Sequence, residues 1–193
     1  MVLTGGESRR MGHDKLLLEV CGVPLLRRVR DALAARCAEI IVVGGDPAWL
    51  EGIRRISDER PGGLGPLAGM EAGLAAARNR LVFVAAGDMP FLSGDLIGYL
   101  LERLEGRGVS AVVPQHRGGT HPLCAAYDRE VLPRVRAALD GGVRSMRGFL
   151  EDVGSVEYVE DELRRFGDPN LLLMNVNSPE DLGRAQAYCG DPA

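Results

Sequence analysis

Short, nearly continuous apolar runs alternate along this chain with stretches in which apolar residues recur every three or four positions. The runs at residues 2–3, 39–43, 81–86, 110–113, 123–127 and 171–176 predict strands. Three of them lack apolar–polar alternation, which marks parallel strands covered on both faces. Between the runs, Leu26, Val29, Leu33 and Cys37 fall on one helical face. Leu96, Leu100 and Leu104 do so in a second helix, and Val131, Leu132, Val135 and Leu139 in a third. A last helix has Ser178 as N-cap, Pro179 at its first position and Asp181 three residues after the cap. Alternating strands and helices predict a three-layer α/β/α, Rossmann-like fold with a mostly parallel sheet. No repeat or linker interrupts it, so residues 1–193 are expected to form a single domain. Residues 140–168 read as irregular, with short helical or strand pieces, and the first run is short for a central strand.

In such a sheet, ligands sit outside the carboxyl ends of the strands. Four polar or glycine-rich segments follow strand candidates, at residues 4–15, 44–47, 87–90 and 175–179, and the fold gathers them on one edge. In the first, Gly5, Gly6 and Gly12 let backbone N–H groups approach an anion, while Arg10 and Lys15 neutralise it. The spacing is neither a P-loop nor a GxGxxG fingerprint, and alone it equally suits a surface turn. Among 23 basic side chains only Lys15 is a lysine. A compact ammonium stands there, where arginine's planar fork serves everywhere else.

Other positions carry a chemical and a plain reading side by side. Asp88 can bind magnesium, which takes one or two carboxylates plus substrate phosphates, or can simply occupy a turn. Asp58 can accept hydrogen bonds from a purine or be a solvated loop residue. Gly62-Gly63-Leu64-Gly65-Pro66 precedes a helix whose glycine-flanked N-terminus can hold an anion or merely start the helix. His121 can contact an acceptor phosphate or be structural. Asn175 and Asn177 flank Val176 and point to one side of an extended chain, facing substrate or bracing the next helix.

Composition narrows the classes. A hydrophobic fraction of 46% and a charged fraction of 26% belong to an ordinary globular domain. A net charge of −4 with dispersed arginines offers no basic patch for nucleic acid. No apolar run approaches a membrane span. With the glycine-rich segment so near the start, no signal peptide is expected. Cys21, Cys37, Cys124 and Cys189 are widely spaced without a CxxC pair. Neither a zinc site nor a disulfide framework is expected, and a reducing cytoplasm fits.

Taken in order, Leu3-Thr-Gly-Gly, Arg10-Met-Gly-His-Asp-Lys15, Gly22-Val-Pro-Leu25, Gly65-Pro-Leu-Ala-Gly69, Gly87-Asp-Met-Pro-Phe91, His121-Pro122 and Asn175-Val-Asn-Ser-Pro-Glu-Asp-Leu182 resemble the motifs of molybdenum cofactor guanylyltransferases. The resemblance covers nearly the whole chain and is weakest at residues 140–168. It implies a sheet of the nucleotide-diphospho-sugar transferase type, with nucleotide held by the N-terminal half and molybdopterin by the C-terminal half. The implied reaction joins GMP from GTP to the phosphate of molybdenum-molybdopterin and releases pyrophosphate. By position, Leu3, Thr4, Gly5, Gly6 and Gly12 belong to the nucleotide site, Lys15 and Arg10 to its phosphates, and Asp58 to guanine. Asp88 matches the Mg2+ ligand; Asn175 and Asn177 stay candidates for substrate contact on their spacing. Many members carry Asn after the second strand, where this chain has Gly44-Gly45. A monomer is expected, with acceptor molybdoenzymes and the upstream molybdenum insertase as protein partners.

Two rivals keep the fold: a cytidylyltransferase for the same cofactor, usually with Ala in place of Gly5, and a sugar-nucleotidyltransferase. A third is a nucleotide-binding regulator without turnover, against which Lys15 and Asp88 argue.

Overall fold

In the computed structural model, which describes residues 1–4, 17–45, 47–57, 60 and 64–189, the first apolar pair already forms a strand, β1 (Val2–Leu3). A tight hairpin, β2 (Glu19–Val20) and β3 (Val23–Pro24), runs into α1 (Leu25–Ala34). Next come β4 (Ile41–Val43), β5 (Arg54–Ile56), α2 (Pro66–Ala76), β6 (Leu81–Ala86) and α3 (Gly94–Arg107). The rest of the chain holds β7 (Ala111–His116), β8 (Gly119–Thr120), β9 (Cys124–Asp128), α4 (Leu132–Asp140), α5 (Met146–Asp152), β10 (Val156–Val159), α6 (Pro169–Leu172) and α7 (Pro179–Ala187).

Among the described residues the main sheet has eight strands, in the order β10-β7-β9-β6-β1-β4-β5, with β8 paired to β7. β1 lies parallel to β4 and β6, placing Val2 between Val42 and Ala85. β4–β5 and β7–β10 are parallel too. β9 is the reversed strand, antiparallel to both β6 and β7.

The unbroken apolar runs are explained by burial on both faces. Alternate residues of each strand enter opposite cores. Val2, Val42, Phe83, Ala85, Val112 and Ala126 pack with Leu26, Val29, Leu96, Ile97 and Leu100 beneath α1 and α3. Leu3, Val43, Val82, Val84, Val113 and Tyr127 pack with Leu67, Met70, Leu74, Val135 and Phe149 beneath α2, α4 and α5. The result is the expected three layers. β1 is short but central, and both its residues are buried between two neighbours.

Two expectations are corrected. Residues 171–176 are not a strand. Asp168 accepts from Asn170 N–H at 2.9 Å with Pro169 at the first helical position, so the run starts as α6. Its apolar residues Leu172, Leu173 and Val176 are buried by packing instead. Second, Cys21 and Cys189 form a disulfide. They are 168 residues apart and meet only because the hairpin tip and the end of α7 fold together, which spacing cannot reveal.

Candidate active site

Strand direction assembles the site. β1, β4, β5 and β6 end at one edge of the sheet, and β9, being reversed, begins there. The segment before β9 therefore joins the same edge. Ala86 N–H donates to Leu123 O at 2.9 Å, and His121 N–H to Pro114 O at 2.9 Å.

On the β1 side, Thr4 N–H donates to Val43 O at 3.0 Å. Its hydroxyl shares one proton between Val43 O at 2.9 Å and Gly44 O at 2.5 Å. Gly44 and Gly45 both take left-handed backbone, with φ of 77° and 60°, a conformation glycine reaches without penalty. The turn after β4 thus presents backbone beside Thr4, clasped by the Thr4 hydroxyl.

Asp88 stands at the centre, half-buried one residue beyond Gly87. Gly87 N–H donates to Leu3 O at 3.0 Å, and Asp88 O accepts from Val176 N–H at 2.9 Å. Arg28 of α1 braces the turn, its Nε donating to Pro90 O at 2.7 Å and its Nη1 to Val20 O at 3.2 Å. Among the described residues, no group of three or more His, Cys, Asp or Glu is placed to hold a metal. A carboxylate just past a strand end suits magnesium, which takes one or two carboxylates plus phosphate oxygens and water.

On the β9 side lies a pocket of about 550 Å³ whose lining includes Met89, His121, Arg144, Ser145, Arg147 and Asn175. The start of α2 closes against it. A Cβ on Gly65, where φ is 78°, would lie 3.2 Å from Arg144 O, so only glycine lets the segments approach this closely. Ser145 caps α5, its Oγ accepting from Gly148 N–H at 3.0 Å. Arg144 turns back toward α4, donating to Leu139 O at 2.6 Å and Val143 O at 2.9 Å. Burial, helped by the His116 and Arg147 charges, pulls the His121 pKa below its ordinary value, so the ring is neutral at pH 7. Tyr127 OH donates to Pro122 O at 2.9 Å and holds this wall from below. Burial pushes the Cys124 thiol up to about 12, leaving it unreactive. Arginines, an amide and a neutral imidazole together suit an anionic, hydrogen-bonding ligand.

Leu3, Thr4, Asp88 and Asn175 therefore meet on one edge. Asn177 does not line the pocket. It is exposed, and its backbone N–H donates to Asp181 Oδ2 at 2.9 Å at the head of α7. Gly5, Gly6, Arg10, Gly12, Lys15 and Asp58 lie outside the described residues. Arg144, Ser145 and Arg147 line the pocket although they fall in the stretch expected to be irregular. Their signal was a serine cap between two arginines, the pattern of a helix start facing an anion.

A sheet edge with a glycine-rich segment after β1, one acid after β6 and a cationic pocket beyond defines a nucleotidyltransferase. Residues 1–156 match the family described as the MobA-like NTP transferase domain. The molybdenum cofactor guanylyltransferase of Cereibacter sphaeroides is 37% identical over 194 residues, covering 97% of this chain and 94% of that protein. The crystal structure of molybdopterin-guanine dinucleotide biosynthesis protein A from Archaeoglobus fulgidus superposes with a TM-score of 0.83 at 29% identity, covering 98% of this chain and 97% of that one. A 2-C-methyl-D-erythritol 4-phosphate cytidylyltransferase from Thermus thermophilus shares the fold, with a TM-score of 0.73 at 20% identity. The chain belongs to the MobA-like family of nucleotidyltransferases.

Proposed function

We propose that this protein transfers GMP from GTP to the terminal phosphate of molybdenum-molybdopterin. The observation that carries the reading is the place of Asp88. It lies in the turn just past β6, with the nucleotide-side strands β1, β4 and β5 on one flank and β9 with its cationic pocket on the other. A group at that position touches both reactants at their junction.

The acceptor phosphate, with a second pKa of about 6, is already anionic at neutral pH and needs no general base. One of its oxygens attacks the α-phosphorus of GTP in line. The bond from that phosphorus to the bridging oxygen breaks, and pyrophosphate leaves. Positioning and charge stabilisation supply the catalysis. Arg147, neutral His121 and Asn175 orient the acceptor, while Lys15 and Arg10 neutralise the departing pyrophosphate. Asp88 would hold Mg2+, which when bound lowers the repulsion between the phosphates. The Gly44–Gly45 backbone stands where many relatives place an Asn, so the nucleotide meets peptide groups there.

Pyrophosphate release with molybdenum-molybdopterin and either GTP, CTP or UTP tests the assignment. Release with GTP is the expected result. Preference for CTP would make the protein a cytidylyltransferase, and binding without release would make it a regulator.

A further inference from the structure

The disulfide sits where it can govern this site. Cys21 occupies the tip of the β2–β3 hairpin. Cys189 lies just past α7. α7 in turn follows the Asn175–Val176 pair, whose Val176 N–H holds the Asp88 carbonyl. The Cα atoms of the two cysteines are 5.2 Å apart, inside the range of roughly 4.4–6.8 Å that a disulfide spans. Both residues are exposed, so small thiols and disulfides can reach them.

Two further observations show that the bond carries weight. Cys21 and Gly22 have φ of 53° and 71°, a two-residue turn whose first position ordinarily takes Asn, Asp or Gly. No turn preference favours cysteine there, so its use lies in the partner. Then there is α7 itself. Its one buried side chain is Ala185, whereas α1 and α3 each bury four. The core beneath it consists of Val20, Leu25, Val176 and Ala185, and Tyr188 adds an edge contact to Phe91 at 6.2 Å. A helix with so little burial opens easily.

We propose that Cys21–Cys189 is a thiol–disulfide latch that holds α7 against the hairpin and so steadies the backbone behind Asp88. Closure needs a low-molecular-weight disulfide such as glutathione disulfide. One cysteine thiolate attacks it and releases one glutathione, and the second cysteine attacks the mixed disulfide and releases another. Two electrons and two protons leave the protein. A dithiol reductant reverses the exchange. Opening the latch frees α7 and, through Val176, loosens the backbone behind Asp88.

The test compares full-length protein oxidised with glutathione disulfide and reduced with dithiothreitol, alongside Cys21→Ser. Three readouts apply: melting, amide hydrogen exchange and affinity for GTP–Mg2+. Reduction is expected to lower Tm by about 5–15 °C, from the usual worth of a disulfide in a domain of this size. Exchange in residues 179–187 should rise tenfold or more while β6 stays protected. The GTP Kd should weaken several-fold, and Cys21→Ser should match the reduced protein in either condition. Equal melting and equal α7 exchange in both states would overturn the latch, as would a Cys21→Ser protein that still responds to reductant. Loosened α7 with unchanged GTP affinity would overturn its link to the site. The GTP readout alone rests on the guanylyl assignment. If GTP binds in neither state, that assignment fails, while melting and exchange still decide the latch.

Discussion

Replacing Tyr127 by phenylalanine removes one hydroxyl from the core and leaves the ring in place. Tyr127 is fully buried, and its hydroxyl donates to Pro122 O at 2.9 Å. Burial holds its phenol well above the ordinary tyrosine range, so it is a donor at every working pH. Pro122 is buried as well. The loss therefore exceeds the roughly 0.5–1.5 kcal/mol of a typical hydrogen bond, because a buried carbonyl left unpaired costs about 1–3 kcal/mol. With about 2–4 °C per kcal/mol in a domain of this size, Tm should fall by about 2–12 °C. No cavity opens, so the denaturant m-value should not change. The unpaired carbonyl adjoins His121, so the acceptor wall should shift. KM for molybdenum-molybdopterin should rise while KM for GTP stays near wild type. A variant as stable as wild type with unchanged acceptor KM would show that this bond does not hold the wall. Equal rises in both KM values would point to a general loosening of the fold.

Three further outcomes are expected. Asp88→Asn keeps the side chain's size but removes the charge a metal needs; it should abolish magnesium-dependent pyrophosphate release without lowering Tm, and normal turnover at limiting magnesium would remove Asp88 from the metal site. Lys15→Arg keeps the charge but replaces a compact ammonium by a wide fork, so most activity should be lost; near-wild-type turnover would end the reasoning built on the lone lysine. Asp181 is held down to about 2, first by the Asn177 N–H and then by Arg184 and Ser178, so its capping contribution is whole above its ordinary 3.8 and is lost as pH falls through 2. Urea unfolding at pH 6 and pH 3 should show an acid loss of about 1 kcal/mol, the scale of a helix cap, that is absent in Asp181→Asn; identical losses in both proteins would remove Asp181 from the acid response.

The strands legible in the sequence are those whose side chains enter both cores. β6, with Phe83 and Ala85 on one side and Val82 and Val84 on the other, shows as an unbroken apolar run for that reason. β5 was invisible because it is an edge strand reading Arg54-Arg55-Ile56, with Arg54 committed to Glu39 and Ala76 O. A charged edge resists unwanted strand pairing and leaves no apolar signal. Residues 171–176 mislead in the opposite sense, since the buried residues of a short helix and the turn after it look like a buried strand. For the candidate site, Leu3, Thr4 and Asp88 stood out because they lie at or just past the end of a strand. Arg144 and Arg147 did not, because their placement depends on how α4 and α5 fold back over α2.

The orientation of β9 was in fact written in the chain. A parallel connection needs a crossover of a dozen or more residues, and only residues 117–123 lie between β7 and β9. β9 therefore had to run back beside β7, through the left-handed turn at Arg117 and Gly118 and the short β8. That constraint has a chemical consequence. Parallel to β6, β9 would carry His121, Pro122 and Leu123 to the far edge of the sheet, about 17 Å away for five residues at roughly 3.4 Å each. Asp88 would then have the ends of β1, β4 and β5 on one flank and no pocket on the other. The site for two substrates follows from a connection too short to cross over.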